Sequence, residues 1–128
     1  MQVLSENDIS FLVRGACYKI NKTLAPGLLE SVYEAALAYE LKKEGCQVST
    51  QVPLPVIYDE VTLDIGFRID IMVNESVLIE VKSVDKLTDI HYKQLLTYLK
   101  LSELKLGLLI NFNSVNISNA IVRIVNNL

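Results

Sequence analysis

Residues 66–82 leave this chain few ways to fold. Gly66-Phe67-Arg68-Ile69-Asp70-Ile71-Met72-Val73 is followed by Asn74-Glu75-Ser76, and then by Val77-Leu78-Ile79-Glu80-Val81-Lys82. Apolar and β-branched residues flank a short polar stretch, which is the pattern of a β-hairpin. With the turn centred on Glu75, Val73 faces Val77, Asp70 faces Glu80 and Arg68 faces Lys82. Opposed residues of paired strands project from the same face, and side chains alternate with period two. Arg68, Asp70, Glu80 and Lys82 are therefore expected on one face, with Met72 and Leu78. Ile69, Ile71, Val73, Val77, Ile79 and Val81 are expected on the other. Two carboxylates held opposite each other repel unless something positive lies between them. A register slip of one residue would separate them.

The chain has 128 residues, 51% of them hydrophobic, and a mean hydropathy of +0.33. It is expected to form a single domain over 1–128 with a sizeable core. No apolar run approaches the ~20 residues of a membrane span. Met1 to Glu6 lacks a basic region followed by an apolar one, so it is not read as a signal peptide. Cys17 and Cys46 form no CxxC, and read as buried thiols in a reducing cytoplasm. The net charge of −3 counts against an extended nucleic-acid surface. Acids gathered at a metal site would inflate that count, because a bound cation offsets them. The later part of the chain is rich in lysine: Lys82, Lys86, Lys93, Lys100 and Lys105.

Ser5 and Asp8 form a loose capping box before a helix expected from about Glu6 to Lys22. Ile9, Leu12, Val13, Ala16, Cys17 and Ile20 recur along it at helical spacing. Pro26-Gly27 interrupts, and a second helix is expected from about Leu28 to Glu44, closed by Gly45. Leu29, Val32, Ala36, Leu37, Tyr39 and Leu41 are its expected buried side. Glu30 falls in its first turn, where the helix dipole alone favours an acid. Val48 to Ile57 reads as an edge strand because it contains Pro53 and Pro55. Val61 to Asp64 leads back into the hairpin. A third helix, capped by Thr88 or Asp89, is expected to reach about Leu101, with Tyr92, Leu95, Leu96 and Leu99 buried. His91, Gln94 and Tyr98 share a neighbouring strip. Leu106 to Asn111 reads as a strand covered on both faces. Ala120 to Val125 leans to strand. The order α-α-β-β-β-α-β implies an α/β fold with helices flanking a central mixed sheet.

Asp70 and Glu80, with Lys82 two residues on, suit a hard cation. Mg²⁺ and Mn²⁺ favour oxygen ligands, and Mg²⁺ takes one or two carboxylates with water and phosphate completing its shell. The plainer alternative is a surface ladder of ion pairs, Asp70 with Arg68 and Glu80 with Lys82.

Asp70, nine residues, then Glu80-Val81-Lys82 resembles the Asp…(Asp/Glu)-x-Lys signature of the PD-(D/E)XK nuclease superfamily. Gly27-Leu28-Leu29-Glu30-Ser31-Val32-Tyr33 is similar to the motif naming its GxxExxY branch. Val52-Pro53-Leu54-Pro55-Val56, Gln94 to Leu99 and Leu106 to Phe112 extend the likeness from about residue 8 to the end. Ile69 stands where the motif proline of other members is found. The resemblance implies a restriction-endonuclease-like αβββαβ core with an extra N-terminal helix, and Mg²⁺- or Mn²⁺-dependent hydrolysis of DNA. It implies Glu30, Asp70 and Glu80 as the acids, with Lys82 and Gln94 as further catalytic residues. The metal would be held by Glu30, Asp70, Glu80 and the carbonyl of Val81. A rival expectation is a non-catalytic module of the same fold, acting alone or as a homodimer. His91, Tyr33 and Tyr98 are expected to be a polar helix residue and two packing residues with satisfied hydroxyls, rather than ligands.

Overall fold

The computed structural model describes residues 3–128, with the side chains of Asp64 and Ile65 set aside. The first two residues of the stretch read for a leader lie outside the described residues.

Two helices, α1 (Glu6–Thr23) and α2 (Glu30–Lys43), precede three strands, β1 (Val48–Tyr58), β2 (Val61–Val73) and β3 (Val77–Lys82). Helix α3 (Asp89–Ser102), strand β4 (Leu106–Asn111), a 3₁₀ turn (Ile117–Asn119) and strand β5 (Ile121–Val125) complete the chain. The expected order holds, and the uncertain last element is a strand. The Ser5–Asp8 capping box forms, Thr88 caps α3, and Gly45 closes α2.

The strands form a five-stranded sheet in the order β1-β2-β3-β4-β5. β3 and β4 are parallel and the other neighbours are antiparallel. β1, with both prolines, lies at the edge, where a missing N–H costs no ladder bond. α1 and α2 cover one face of the sheet, burying Ile9, Val13, Leu37 and Leu41 against Ile71, Ile79, Leu108 and Ile110. α3 covers the other face, burying Leu95, Tyr98 and Leu99 against Leu78 and Leu109. Gly107 permits that second contact: a Cβ there would lie 2.8 Å from Leu95 Cγ.

Two expectations about facing are corrected. Leu29, Val32 and Tyr39 are exposed, at 75%, 41% and 61%, while Tyr33 and Ala38 are buried in their place. Apolar residues surround α2 on most sides, so periodicity alone selects no single face. Ile69, in turn, does not share a face with Ile71. Ile71 packs in the α1/α2 layer and Ile69 in the α3 layer. The neighbouring strand switches with it, since Val48 packs on the first layer and Val52 and Leu54 on the second. The paired Cα register is unbroken across the switch, from Thr50↔Ile71 to Val52↔Ile69. Between these pairs lie Asp70 and Gln51, and Gln51 has a left-handed φ of 51°.

Candidate active site

The β2–β3 ladder pairs Val73 with Val77, Met72 with Leu78 and Ile71 with Ile79, in the expected register. The next pair would be Asp70 and Glu80. Here backbone–backbone pairing gives way to side chains. The Asp70 N–H donates to Glu80 Oε2 at 2.9 Å, and the Val81 N–H donates to Asp70 Oδ2 at 2.8 Å. Each carboxylate thus satisfies a backbone donor of the opposite strand where the ladder ends. The two acids are held together at the point where β2 changes face.

Glu80 is 8% exposed, so its charge is poorly solvated. Burial first, and then the negative Asp70 carboxylate, push its pKa up to about 8, against the pull of the Asp70 amide and the positive Lys82. Ion pairs among the described residues join Glu40 to Lys19 and Lys43, and neither Asp70 nor Glu80 takes part. The surface ladder weighed from sequence is therefore not formed among them.

Glu30 opens α2. Its Oε2 accepts from the Ser83 N–H at 3.1 Å, one residue past Lys82. The Ser83 hydroxyl donates to the Leu28 carbonyl at 2.9 Å, so the end of β3 is latched to the start of α2. Tyr33 fixes that start from behind. Its hydroxyl donates to Ala25 O at 2.6 Å and accepts from the Leu28 N–H at 3.1 Å, and its ring stacks on Phe112 with centroids 4.8 Å apart. The expectation of a packing tyrosine with a satisfied hydroxyl is met there. Asn111, buried at the end of β4, accepts from the Val84 N–H and donates to Val84 O, holding the loop after Lys82.

From the opposite layer, Tyr98 is buried and its ring lies 4.9 Å from Phe67. Burial, then the charges of Glu80 and Asp70, raise the pKa of its phenol, which places the ring in the field of the acid pair. Its hydroxyl takes no protein partner among the described residues. Gln94 sits one turn earlier on α3, half-buried, with no hydrogen bond to either acid among those residues. His91 is engaged in capping: its Nδ1 accepts from the Thr88 N–H at 3.1 Å.

Glu34 and Gln51 were absent from the sequence expectation. Gln51 Nε2 donates to Glu34 Oε1 at 2.7 Å and to Asp70 Oδ1 at 3.4 Å. Burial, opposed by the Gln51 hydrogen bond, raises the pKa of Glu34, and Asp70 and Glu30 add to the rise. The i, i+4 spacing of Glu30 and Glu34 on one helix was a usable signal for Glu34. No sequence signal singled out Gln51.

The chemistry of the donors fits a hard cation. Asp70 and Glu80 supply carboxylate oxygens, and two are as many carboxylates as Mg²⁺ usually takes. Among the described residues, no three His, Cys, Asp or Glu side chains group closely enough to hold an ion, and Glu30 is engaged with Ser83 instead.

A mixed sheet with helices on both faces, an N-terminal helix and an acid pair at the end of its central hairpin defines a restriction-endonuclease-like fold. The model of a family described as the PD-(D/E)XK nuclease superfamily matches residues 7–124, and the chain belongs to that superfamily. Neither the curated proteins nor the solved structures provided a match. Membership points to nuclease chemistry on nucleic acid. No helix among the described residues is long and apolar enough to cross a membrane.

Proposed function

We propose that this protein is a single-domain, metal-dependent nuclease that hydrolyses phosphodiester bonds in DNA, and that it belongs to the GxxExxY branch of the superfamily. The observation that carries the reading is the interlocked pair of Asp70 and Glu80. A nearly buried carboxylate beside a second carboxylate, with no cation paired to either among the described residues, has the electrostatics of a site awaiting positive charge.

Asp70 and Glu80, with the Val81 carbonyl, would hold Mg²⁺ or Mn²⁺, and Glu30 would join them from α2. Bound there, such an ion supplies Lewis acidity toward a phosphoryl oxygen. Lys82, two residues beyond Glu80, orients the attacking water and stabilises the charge that develops on the phosphate. Gln94 and Tyr98 approach from α3, Gln94 supporting the site and Tyr98 offering a free hydroxyl. The late lysines, Lys86, Lys93 and Lys100, offer phosphates a counter-charge in an otherwise acidic chain. Cys17 and Cys46 are buried free thiols, in keeping with a reducing cytoplasm.

A second reading is a non-catalytic module of the same fold, alone or as a homodimer. It is favoured by the engagement of Glu30 with Ser83 rather than with the acid pair.

The test is incubation of the purified protein with plasmid, linear and branched DNA in Mn²⁺. Cleavage lost in both Asp70→Ala and Lys82→Ala is the expected result, and cleavage that persists in either variant overturns the assignment. Calorimetry separates the two readings. Mn²⁺ binding that disappears in Glu80→Ala supports the nuclease, and no Mn²⁺ binding by the unaltered protein supports the module.

A further inference from the structure

Gln51 occupies an unusual position. Among the described residues, the non-glycine positions with positive φ are Gln51, Asp59, Asn74, Glu75, Glu103 and Asn127. Asp59 lies in the β1–β2 turn, Asn74 and Glu75 in the β2–β3 turn, Glu103 at the α3 C-cap and Asn127 in the tail. Gln51 is the member of this set that lies inside a strand. A left-handed backbone is costly for an L residue with a long side chain, and persists where the surroundings fix it.

The side chain shows what fixes it. Its amide nitrogen donates to Glu34 of α2 at 2.7 Å and lies 3.4 Å from Asp70 of β2. Both partners are carboxylates, which accept and do not donate when ionised, so the nitrogen rather than the oxygen must face them. Gln51 also lies opposite Asp70, at the point where β1 and β2 together change layers. An ordinary extended residue would keep the alternation of the strand.

We infer that Gln51 is a positioning residue for the acid pair: its strained backbone turns its amide between Glu34 and Asp70 and so fixes the Asp70 carboxylate for cation binding. The inference rests on the reading of Asp70 as a metal ligand. One Asp70 oxygen is tied to the Val81 N–H and the other is steered by Gln51, so the carboxylate plane is determined from both sides. Hydrogen bonds of this kind to a ligating carboxylate are worth about 10–100-fold in metal affinity.

The experiment compares Gln51→Gly, Gln51→Leu and the unaltered full chain by Mn²⁺ calorimetry, thermal unfolding without metal, and side-chain amide NMR. Gln51→Gly relieves the backbone and removes the bridge. It is expected to keep or raise the melting temperature while weakening Mn²⁺ binding by about tenfold or more. Gln51→Leu keeps the strain and loses the amide, so it should weaken binding comparably and melt lower than Gln51→Gly. In the unaltered protein the Gln51 amide resonances should be displaced from the free-glutamine position, and should move towards it in Glu34→Gln. Wild-type Mn²⁺ affinity in Gln51→Gly, or free-like amide resonances, overturns the inference while leaving the nuclease reading intact. A chain in which Asp70→Ala binds Mn²⁺ as tightly as the unaltered protein overturns the reading of the site, and this inference with it.

Discussion

Glu80 sets the pH behaviour expected of this molecule. Its folded pKa, about 8, lies above the ordinary carboxylate value because of burial and the neighbouring Asp70 charge. Between the two values the unfolded chain has released a proton that the folded chain retains. Folding stability therefore falls as pH rises through that window: the penalty is absent below the unfolded value and complete above the folded one. Metal-free Glu80→Gln should consequently melt higher than the unaltered protein at about pH 9, with the difference vanishing near about pH 4.5. Thermal scans across that range check it, and a difference independent of pH would contradict it. The pairing behind this was legible in sequence, because the turn centred on Glu75 sets the register that brings Asp70 opposite Glu80, while the loss of alternation beyond Ile71 was not. The Gln51 contact was not legible. It depends on one backbone angle and on how α2 docks beside β1, and neither leaves a periodic trace.

At the scale of elements, α2 shares the apolar layer of Leu37, Leu41, Ile71 and Ile79 with the hairpin, and polar side chains latch its first turn to the end of β3. Glu30 and Leu28 hold Ser83 from the front, and the Tyr33 hydroxyl holds residues 25–28 from behind. Tyr33→Phe keeps the stack on Phe112 but strands the Ala25 carbonyl and the Leu28 N–H. It should cost about 1–3 kcal/mol in denaturant unfolding. On the proposed nuclease reading it should also lower cleavage, because residues 25–28 lead directly into Glu30. The start of α1 at its capping box, the end of α2 at Gly45 and the turn between β2 and β3 were readable in advance, whereas α2 begins at Glu30 rather than Leu28, with no side-chain cap to mark it. The buried face of α2 was not. Leu29, Val32 and Tyr39 are as apolar as the residues that are buried, and the choice among them was made by Tyr33 finding backbone partners and an aromatic ring from β4's end. The same tyrosine is the last residue of the motif beginning at Gly27. Its contacts give that motif a structural account: a residue that locks the entry to the helix on which Glu30 stands.

Across the whole molecule the two layers meet the sheet on different terms. α1 and α2 bury a broad aliphatic surface, while α3 rests on a smaller cluster around Leu95, which sits over Gly107 of β4. A methyl group at Gly107 would lie 2.8–3.0 Å from three Leu95 side-chain atoms. Leu95 is fully buried and cannot swing clear. Gly107→Ala should therefore destabilise the fold by about 1–3 kcal/mol through overpacking. Gln94 adjoins Leu95 on α3 and Tyr98 lies one turn beyond it, so an outward shift of the helix carries both away from Asp70 and Glu80. The bare backbone at Gly107 thus sets how closely α3 approaches the face of the sheet that carries Leu78 and Leu109. On the proposed nuclease reading, changes at this contact would shift Gln94 and Tyr98 relative to the acid pair while every residue of the site stays the same.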